Sequence, residues 1–238
     1  MSAAPRTAMV LAAGLGLRMR PLTDSRPKAL VEVAGKALID HTLDRLVAVG
    51  VRRAVVNVHA FADQLEAHLA KRRDLEILIS DEREALLETG GAIKKARALL
   101  GEGPIWSANS DYVWIDEPPG GLALVAQTWD PARMDACLVV VPKARTLGFD
   151  TPGDFFADAN GALTPRGAAA TAPLHAFGLQ ILDPRPVYAE PDQAFSLRNL
   201  WFRAAENRRL IGVQPGGVWM QVGDPAALEV VSARLAAP

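Results

Sequence analysis

The sequence predicts an α/β protein in which a mostly parallel sheet is flanked by helices. Two observations support this fold class. Half of the 238 residues are hydrophobic, so a large core can be buried. In the first half of the chain, short apolar runs alternate with segments of helical spacing, and this alternation is typical of parallel β–α units.

The predicted elements of the first half follow in order. Residues 8–12 form a short apolar strand, and residues 38–49 have the apolar spacing of a helix that Gly50 ends. Strands and helices then alternate at 53–58, 62–70, 75–80, 91–100 and 104–108. Ligands of such sheets bind beyond the carboxyl ends of strands. Gly14 and Asp111 each follow a strand, so we expect them to share one site.

The second half has a more β-rich pattern. Its predicted elements are a strand at 135–141, a hairpin at 155–164, a strand at 173–182, a helix at 195–207, a strand at 210–214 and a helix at 225–235. Asn160-Gly161 is a type I′ turn signal within the hairpin, and Asp224 is the expected N-cap of the last helix. The segment 142–173 is rich in Gly, Pro and Thr, which favours a mobile substrate loop.

Charge and cysteine content exclude several classes of protein. The net charge is −1 and no basic stripe is present, so nucleic acid is not an expected partner. The single cysteine, Cys137, lies in an apolar run and is expected to be a buried core thiol. We see no secretion signal and no apolar run of membrane-spanning length. A cytoplasmic protein with no membrane partner is therefore predicted.

The turn after the first strand has the composition of a phosphate site. Gly14 and Gly16 allow strained backbone dihedrals and close approach to a ligand, and the freed N–H groups of such a turn can bind an anion. Arg18 offers a planar fork of donors to phosphate oxygens, and Lys28 adds a point charge. A glycine-rich surface turn beside a solvated arginine is the alternative interpretation.

Two familiar phosphate motifs do not fit this turn. No Gly-Lys-Ser/Thr follows the glycines, as a P-loop would require. Met19 occupies the place where the third glycine of a dinucleotide fingerprint would pack a helix on the strand. A dinucleotide-dependent oxidoreductase is therefore disfavoured.

The run Leu-Ala-Ala-Gly-Leu-Gly-Leu-Arg-Met-Arg-Pro-Leu-Thr, followed by Pro-Lys, resembles the signature of sugar-1-phosphate nucleotidylyltransferases. Two later elements, Glu88-Thr89-Gly90-Gly91 and Asn109-Ser110-Asp111, resemble further motifs of that family. Each would be weak alone, because paired glycines also open tight helices and an aspartate after a strand is often a cap. The resemblance covers nearly the full chain.

The resemblance implies a fold, an activity and a set of site residues. It implies a Rossmann-like sheet of the nucleotide-diphospho-sugar transferase type, with a small β-rich sugar-binding part. The chain would be one domain, with a nucleotide-binding half at about 1–135 and a sugar-binding half at about 136–238. Arg18 and Lys28 would be catalytic, and Asp111 would bind Mg²⁺. The implied nucleotide-binding residues are Leu11, Ala12, Ala13, Gly14, Gly16, Glu82, Thr89, Gly90 and Asn109.

Within the family the chain is most similar to the short N-acetylmuramate-1-phosphate uridylyltransferases. The segments that suggest this subgroup are 87–91, Gly153-Asp154-Phe155 and 175–179. Gly153 and Asp154 would then contact the sugar. The implied reaction transfers UMP from UTP to N-acetylmuramate 1-phosphate and releases pyrophosphate, in cell-wall sugar recycling. Guanylyl, thymidylyl or cytidylyl transfer to mannose, glucose or heptose 1-phosphate stays open.

One position departs from the family pattern. The family has a second metal-binding aspartate near the C-terminus, where this chain has Gln221 in the run Trp219-Met220-Gln221-Val222-Gly223. A glutamine carbonyl can ligate Mg²⁺ but carries no charge, so metal binding would be weaker. The departure also keeps open a non-catalytic nucleotide or sugar sensor of the same fold.

Overall fold

A nine-stranded sheet lies at the centre of the protein, whose computed structural model describes residues 4–236. The strands, in chain order, are β1 (Thr7–Leu11), β2 (Glu32–Val33), β3 (Lys36–Ala37), β4 (Arg53–Val58), β5 (Glu76–Asp81), β6 (Ile105–Asn109), β7 (Tyr112–Ile115), β8 (Ala136–Pro142), β9 (Thr146–Leu147), β10 (Phe155–Ala157), β11 (Leu163–Pro165), β12 (Leu174–Leu182), β13 (Leu210–Val213) and β14 (Val218–Gln221). The helices are α1 (Leu38–Ala48), α2 (Ala62–Leu69), α3 (Glu88–Lys95), α4 (Arg97–Leu100), α5 (Gly121–Thr128), α6 (Arg185–Tyr188), α7 (Arg198–Glu206) and α8 (Pro225–Ala236).

The strand directions confirm the predicted fold class. The long path through the sheet is β5-β4-β1-β6-β12-β8-β13. Neighbours β5, β4, β1 and β6 pair in parallel, and β13 pairs in parallel with β8. Strand β12 runs antiparallel to both β6 and β8. The sheet is therefore mostly parallel, and its carboxyl edge is formed by β1, β4, β5 and β6.

The β-rich part of the second half consists of two smaller units. Strands β10 and β11 form an antiparallel pair that joins the start of β12 through Phe155 and Leu174. Strand β14 lies between β7, to which it is antiparallel, and β9, to which it is parallel. Much of the segment 142–173, predicted as a loop, is thus occupied by β9, β10 and β11.

The predicted type I′ turn at Asn160-Gly161 is wrong in its details. The connection is a longer loop over residues 158–162. The carboxylate oxygen Oδ1 of Asp158 accepts hydrogen bonds from the backbone N–H groups of Asn160 and Ala162, both at 2.9 Å. An aspartate that satisfies backbone donors within its own turn stabilises this wider loop.

Alternate side chains of the central strands pack into cores on opposite faces of the sheet. Val10 belongs to the cluster with Ile39 and Trp106, whereas its neighbour Met9 belongs to the cluster with Ile93. This arrangement follows from the two-residue side-chain period of a strand. Helices therefore cover both faces, as predicted.

Two predicted helices begin at other residues than expected, and hydrogen bonds connect the N-terminal segments of both. The helix predicted at 91–100 begins at Glu88 and is interrupted at Ala96, and the helix predicted at 195–207 begins at Arg198. The carbonyl oxygen of Phe195 accepts from the N–H groups of Gly90 and Gly91 at 2.9 and 3.2 Å. The carbonyl of Phe195 is therefore engaged with α3, and the N-terminal hydrogen bonds of α7 start from the carbonyls of Ser196 and Leu197.

Two other predictions about single residues are confirmed. Cys137 is fully buried, and burial raises the pKa of its thiol to about 12. Asp224 caps the last helix, because its Oδ1 accepts from the N–H of Ala227 at 2.8 Å. Within residues 4–236, no helix has the length and apolar character needed to cross a membrane.

Candidate active site

A cavity of about 390 Å³ opens at the carboxyl edge of the sheet, beyond β1 and β6. It is called the first cavity here. Gly14 and Asp111 both line it, as expected from their positions just after strands. The residues around it also include most of those predicted to bind nucleotide: Leu11, Ala12, Ala13, Gly14, Gly16, Glu82, Thr89 and Asn109.

The glycine turn is held close to the lysine that follows it. Gly16 has a left-handed φ of +63°, and a Cβ atom there would lie 3.0 Å from the Cβ of Lys28 and 3.0 Å from Cγ2 of Thr23. The hydroxyl of Thr23 donates to the carbonyl of Gly16 at 2.8 Å. A side chain at position 16 would therefore strain the backbone and push Lys28 away from the cavity.

Arg18 and Lys28 are the cations that line the first cavity, and Asp111 and Glu88 line it with carboxylates. Nζ of Lys28 lies 2.5 Å from Oδ2 of Asp111, and their side chains are only 14% and 18% exposed. Arg18 lies against Gly223, where a Cβ atom would be 3.6 Å from its guanidinium. The guanidinium of Arg18 makes no hydrogen bond to another residue of the described chain. The lining as a whole therefore carries no positive excess, and an anionic ligand would be bound by the local donors of Arg18, Lys28 and the glycine turn.

A buried amide–carboxylate pair supports the floor of the first cavity, and sequence reasoning singled out Glu82 but missed its partner Asn57. Oδ1 of Asn57 accepts from the N–H of Ala12 at 2.7 Å, and Nδ2 of Asn57 donates to Oε1 of Glu82 at 2.9 Å. Oε2 of Glu82 accepts from the N–H of Leu87 at 3.3 Å. Burial raises the pKa of the Glu82 carboxyl, and the hydrogen bonds from Asn57 and Leu87 oppose this shift. The pair links the root of the glycine turn to the entry of α3.

Three residues predicted to contact ligand lie behind the surface of the site. Glu82 is fully buried. A Cβ atom at Gly90 would lie 2.3 Å from the ring of Phe195, and one at Gly153 would lie 2.0 Å from the carbonyl oxygen of Ala172. Close packing between chain segments therefore requires both glycines. Both glycines were predicted as ligand contacts because of the motifs in which they stand, and the structure shows that they also have a packing role.

A second cavity of about 260 Å³ adjoins the first and shares Leu11, Thr89 and Asn109 with it. The residues that line the second cavity but not the first include Tyr112, Phe149, Thr151, Asp154, Gln180, Arg198, Trp201 and Gln221. The ring of Tyr112 stacks on Phe149 at 5.9 Å. The two cavities together form a site that has Arg18 and Lys28 at one end and aromatic side chains at the other.

Asp154, one of the predicted sugar contacts, is fixed at the edge of the second cavity. Its Oδ2 accepts from the N–H of Ala176 at 3.0 Å. Gly178 lies on the same strand, where β12 has a register irregularity, and a Cβ atom there would be 2.5 Å from Nδ2 of Asn109. The absence of a side chain at Gly178 therefore leaves room for Asn109 in the wall that both cavities share.

The two predicted metal-binding residues lie on neighbouring segments. Gln221 pairs with Tyr112 in the β14–β7 register, and the N–H of Val222 donates to the carbonyl of Asp111 at 3.0 Å. Asp111 lines the first cavity and Gln221 the second. No group of three or more His, Cys, Asp or Glu side chains among residues 4–236 could hold a metal ion. The oxygen donors present suit Mg²⁺ only if substrate oxygens complete its shell.

The sequence of residues 7–149 matches the Nucleotidyl transferase family. The chain belongs to this family. It is 55% identical over 99% of both chains to the N-acetylmuramate alpha-1-phosphate uridylyltransferase of Caulobacter vibrioides. It is 28% identical to the mannose-1-phosphate guanylyltransferase catalytic subunit beta of Dictyostelium discoideum, over 92% of this chain and 61% of that protein. The membership confirms that the chain is a nucleotidyltransferase of the kind that its motifs predicted.

Solved structures of other nucleotidyltransferases have the same fold. The inositol-1-phosphate CTP transferase from T. maritima matches with a TM-score of 0.77 and 16% identity, over 98% of this chain and 97% of that one. A UDP-glucose pyrophosphorylase, solved in complex with UDP-glucose, matches with a TM-score of 0.79 and 15% identity, over 97% and 98%. At such low identity the likeness concerns the nucleotidyltransferase fold alone.

Proposed function

We propose that this nucleotidyltransferase transfers the uridylyl group of UTP to N-acetylmuramate 1-phosphate and releases pyrophosphate. The observation that carries the proposal is the convergence of Arg18, Lys28 and Asp111 with the glycine turn on one cavity. The choice of base and sugar is supported by the full-length similarity to the Caulobacter uridylyltransferase.

The reaction is a direct displacement. An oxygen of the sugar phosphate forms a bond to the α-phosphorus of UTP, and the bond from that phosphorus to the pyrophosphate oxygen breaks. No protein nucleophile is needed. The barrier arises because two anions must meet and charge must move to the leaving group, so positioning and electrostatic stabilisation are the main sources of catalysis.

The cations of the first cavity have separate roles in this scheme. Arg18 has guanidinium donors that are not used within the described chain, and it binds the pyrophosphate oxygens as they gain charge. Lys28 is partly buried and paired with Asp111, and it binds the α-phosphate or the incoming sugar phosphate. Both side chains reduce the repulsion between the two substrates.

The nucleotide lies on the wall made by the first strand and its turn. Leu11, Ala12, Ala13, Gly14 and Gly16 approach the phosphates and ribose through their backbone, together with Thr89 and Asn109. Glu82 and Gly90 act from behind this wall by fixing the segments that contact the base. The exposed side chains of Leu15 and Leu86, which also line the cavity, supply apolar surface.

Mg²⁺ is the cofactor that these donors fit best. The carboxylate of Asp111 and, more weakly, the amide oxygen of Gln221 would hold it, and the nucleotide phosphates would complete its oxygen ligands. When bound, the ion neutralises phosphate charge and makes the α-phosphorus more electrophilic. Lys28 also pairs with Asp111 in the protein alone, which keeps that carboxylate neutralised before substrates bind.

The second cavity receives the sugar. Asp154 presents a carboxylate to the sugar hydroxyls, and Gly153 sets its position through close packing on Ala172. In this division residues up to about 135 bind the nucleotide and residues from about 136 bind the sugar. N-acetylmuramate is a cell-wall sugar, and we place the reaction in its recycling in the cytoplasm.

The test is pyrophosphate release with Mg²⁺, measured for each of four nucleoside triphosphates against a panel of sugar 1-phosphates. The expected result is the highest kcat/KM with UTP and N-acetylmuramate 1-phosphate. Preference for GTP and mannose 1-phosphate, the pair suggested by the Dictyostelium relative, would replace the substrates and keep the mechanism. Tight nucleotide binding without turnover for any pair would contradict the proposal and favour a sensor.

A further inference from the structure

Arg198 lies at the far end of the second cavity, in the first turn of α7. It also lines a third cavity of about 490 Å³, together with Asp154, Arg166 and Phe202. Arg198 and Asp154 therefore form the boundary between these two spaces. A substituent that projects from a sugar in the second cavity would meet this boundary.

Arg198 supplies the positive charge of the second cavity. Among the side chains that line this cavity, Arg198 is the cation and Asp154 the carboxylate. Tyr112 stays neutral because burial raises the pKa of its hydroxyl. Arg18 and Lys28 line the first cavity instead. Without Arg198, Asp154 alone would give the second cavity a negative charge that disfavours an acidic sugar.

The guanidinium of Arg198 has donors available to a ligand. Its Nη2 lies 3.9 Å from Oδ1 of Asp154, which is beyond hydrogen-bond distance. The guanidinium carbon stands 5.7 Å from the ring centroid of Phe202, which supports the group from one side. Its side chain is 56% exposed, and within residues 4–236 it donates no side-chain hydrogen bond.

We propose that Arg198 binds the carboxylate of an acidic sugar 1-phosphate and thereby determines sugar specificity. This inference rests on the proposed function, because N-acetylmuramate differs from N-acetylglucosamine by a lactyl ether that carries a carboxylate. A planar guanidinium can hold that carboxylate with two parallel hydrogen bonds. The residue acts on substrate choice and takes no part in the bond-breaking step.

The experiment compares kcat/KM for three sugar 1-phosphates, with UTP at saturation. N-acetylmuramate 1-phosphate carries the lactyl acid, N-acetylglucosamine 1-phosphate lacks it, and glucuronic acid 1-phosphate carries a different acid. The variants are Arg198→Gln, Arg198→Lys and the control Arg203→Gln. Arg203 is on the same helix but pairs with Glu190 at 2.5 Å and lines neither the second nor the third cavity.

We expect Arg198→Gln to lower the ratio of kcat/KM for N-acetylmuramate over N-acetylglucosamine 1-phosphate by about 10- to 100-fold, the usual effect of losing hydrogen bonds to a charged group. Arg198→Lys should give an intermediate ratio, because it keeps the charge and loses the fork. Arg203→Gln should keep the wild-type ratio. Thermal unfolding of each variant shows whether the fold is intact.

The outcomes separate this inference from the proposed function. An unchanged ratio in Arg198→Gln would overturn the role of Arg198, whether kcat/KM falls equally for the acidic and the neutral sugar or falls for neither. If the wild-type protein used only glucuronic acid 1-phosphate, and Arg198→Gln lowered that activity, the inference would stand and the proposed sugar would be replaced. Wild-type turnover of neutral sugars only would contradict both.

Discussion

The two adjoining cavities differ in how their polar side chains are held. Below the first cavity, Asn57 and Glu82 are buried and hydrogen-bonded to each other and to the backbone N–H groups of Ala12 and Leu87. At the end of the second, Arg198 is half exposed and rests on an aromatic ring. A buried network admits few alternatives, whereas an exposed arginine can be changed at little cost to folding. We therefore expect substitutions at the first cavity to change catalysis and those at the second to change substrate choice.

The largest expected effect comes from the cations of the first cavity. Arg18→Ala and Lys28→Ala should each lower kcat by about 10²-fold or more, because each removes a donor that stabilises charge in the transition state. Steady-state pyrophosphate release measures this loss. The unfolding temperature of Arg18→Ala should stay close to wild type, because Arg18 is exposed and makes no hydrogen bond within residues 4–236.

A nearby arginine offers the matched control. Arg20 is exposed, pairs with Asp24 at 3.2 Å and does not line the first cavity. Arg20→Ala should retain wild-type turnover. If Arg18→Ala and Lys28→Ala also retained it, the assignment of these residues to phosphate binding would be wrong.

A second prediction tests whether the Asn57–Glu82 pair positions the nucleotide wall. Asn57→Asp places two carboxylates together, so one must bind a proton. Glu82→Gln turns its N–H₂ group toward either Nδ2 of Asn57 or the N–H of Leu87, so two donors face each other unless Asn57 releases Ala12. Each single change should lower the free energy of unfolding by about 1–3 kcal/mol, as expected for buried polar groups left unsatisfied. Each should also raise KM for UTP by roughly tenfold, the equivalent of ~1.4 kcal/mol.

The double variant Asn57→Asp/Glu82→Gln should recover most of both losses. The new aspartate can accept from the N–H of Ala12 and from the new amide, and the glutamine carbonyl can accept from the N–H of Leu87. Denaturant unfolding and KM for UTP, measured at two pH values, provide the test. Lower pH should also help Asn57→Asp alone, since it supplies the shared proton. Additive losses in the double variant would show that the pair has no positioning role.

A third prediction concerns Gln221, the predicted metal ligand in the second cavity. Gln221→Asp adds a charged oxygen ligand next to the segment of Asp111. It should lower the Mg²⁺ concentration for half-maximal activity by several-fold, on the order of 1 kcal/mol. Calorimetric Mg²⁺ titration in the presence of a non-hydrolysable nucleotide gives an independent reading. Equal Mg²⁺ affinity in both proteins would mean that position 221 is not a metal ligand.

The smallest expected effect is on the pH dependence of stability near the second cavity. His175 is buried, with Nδ1 3.0 Å from Oγ1 of Thr151 and 4.0 Å from Oδ2 of Asp154. Burial lowers its pKa, Asp154 opposes the shift and Lys143 adds to it. The neutral ring stabilises the fold above its ordinary pKa of about 6.5, and this stabilisation is lost as pH falls through the lower folded value.

Stability should therefore decline less between pH 7.5 and pH 5 in His175→Gln than in the wild type. Thermal unfolding across that range measures the difference. His41, whose pKa is also lowered by burial, is present in both proteins, so it does not affect the comparison. Parallel pH profiles would show that His175 is not a source of the acid sensitivity.

Most of the fold could be predicted from local sequence patterns. The strand Arg53–Val58 and the helix beginning at Leu38 lie where apolar periodicity placed them. The error at the 158–162 turn has a local cause, the side chain of Asp158, whereas the errors at helix ends concern positions where distant segments meet. The start of α7 depends on hydrogen bonds between Phe195 and the glycines of α3, and no local pattern contains that information.

The site residues that lie within recognisable sequence motifs could be predicted, and those outside the motifs could not. Arg18, Lys28 and Asp111 were recognised because a long and specific run surrounds the first two and a strand precedes the third. Asn57 was missed because its partners, Ala12 and Glu82, are distant in sequence and are brought to it by the parallel pairing of neighbouring strands. Its only local signal was a polar residue within a strand of apolar character.

The buried thiol of Cys137 gives this molecule an internal reporter of opening. It is the only cysteine of the chain, and it lies on β8 between β12 and β13. In the closed protein the thiol is shielded and its raised pKa leaves almost no reactive thiolate. Cys137 packs in the core with Leu122 and Val125 of α5, so alkylation of the native protein requires that this core opens, and the labelling rate reports how often it does.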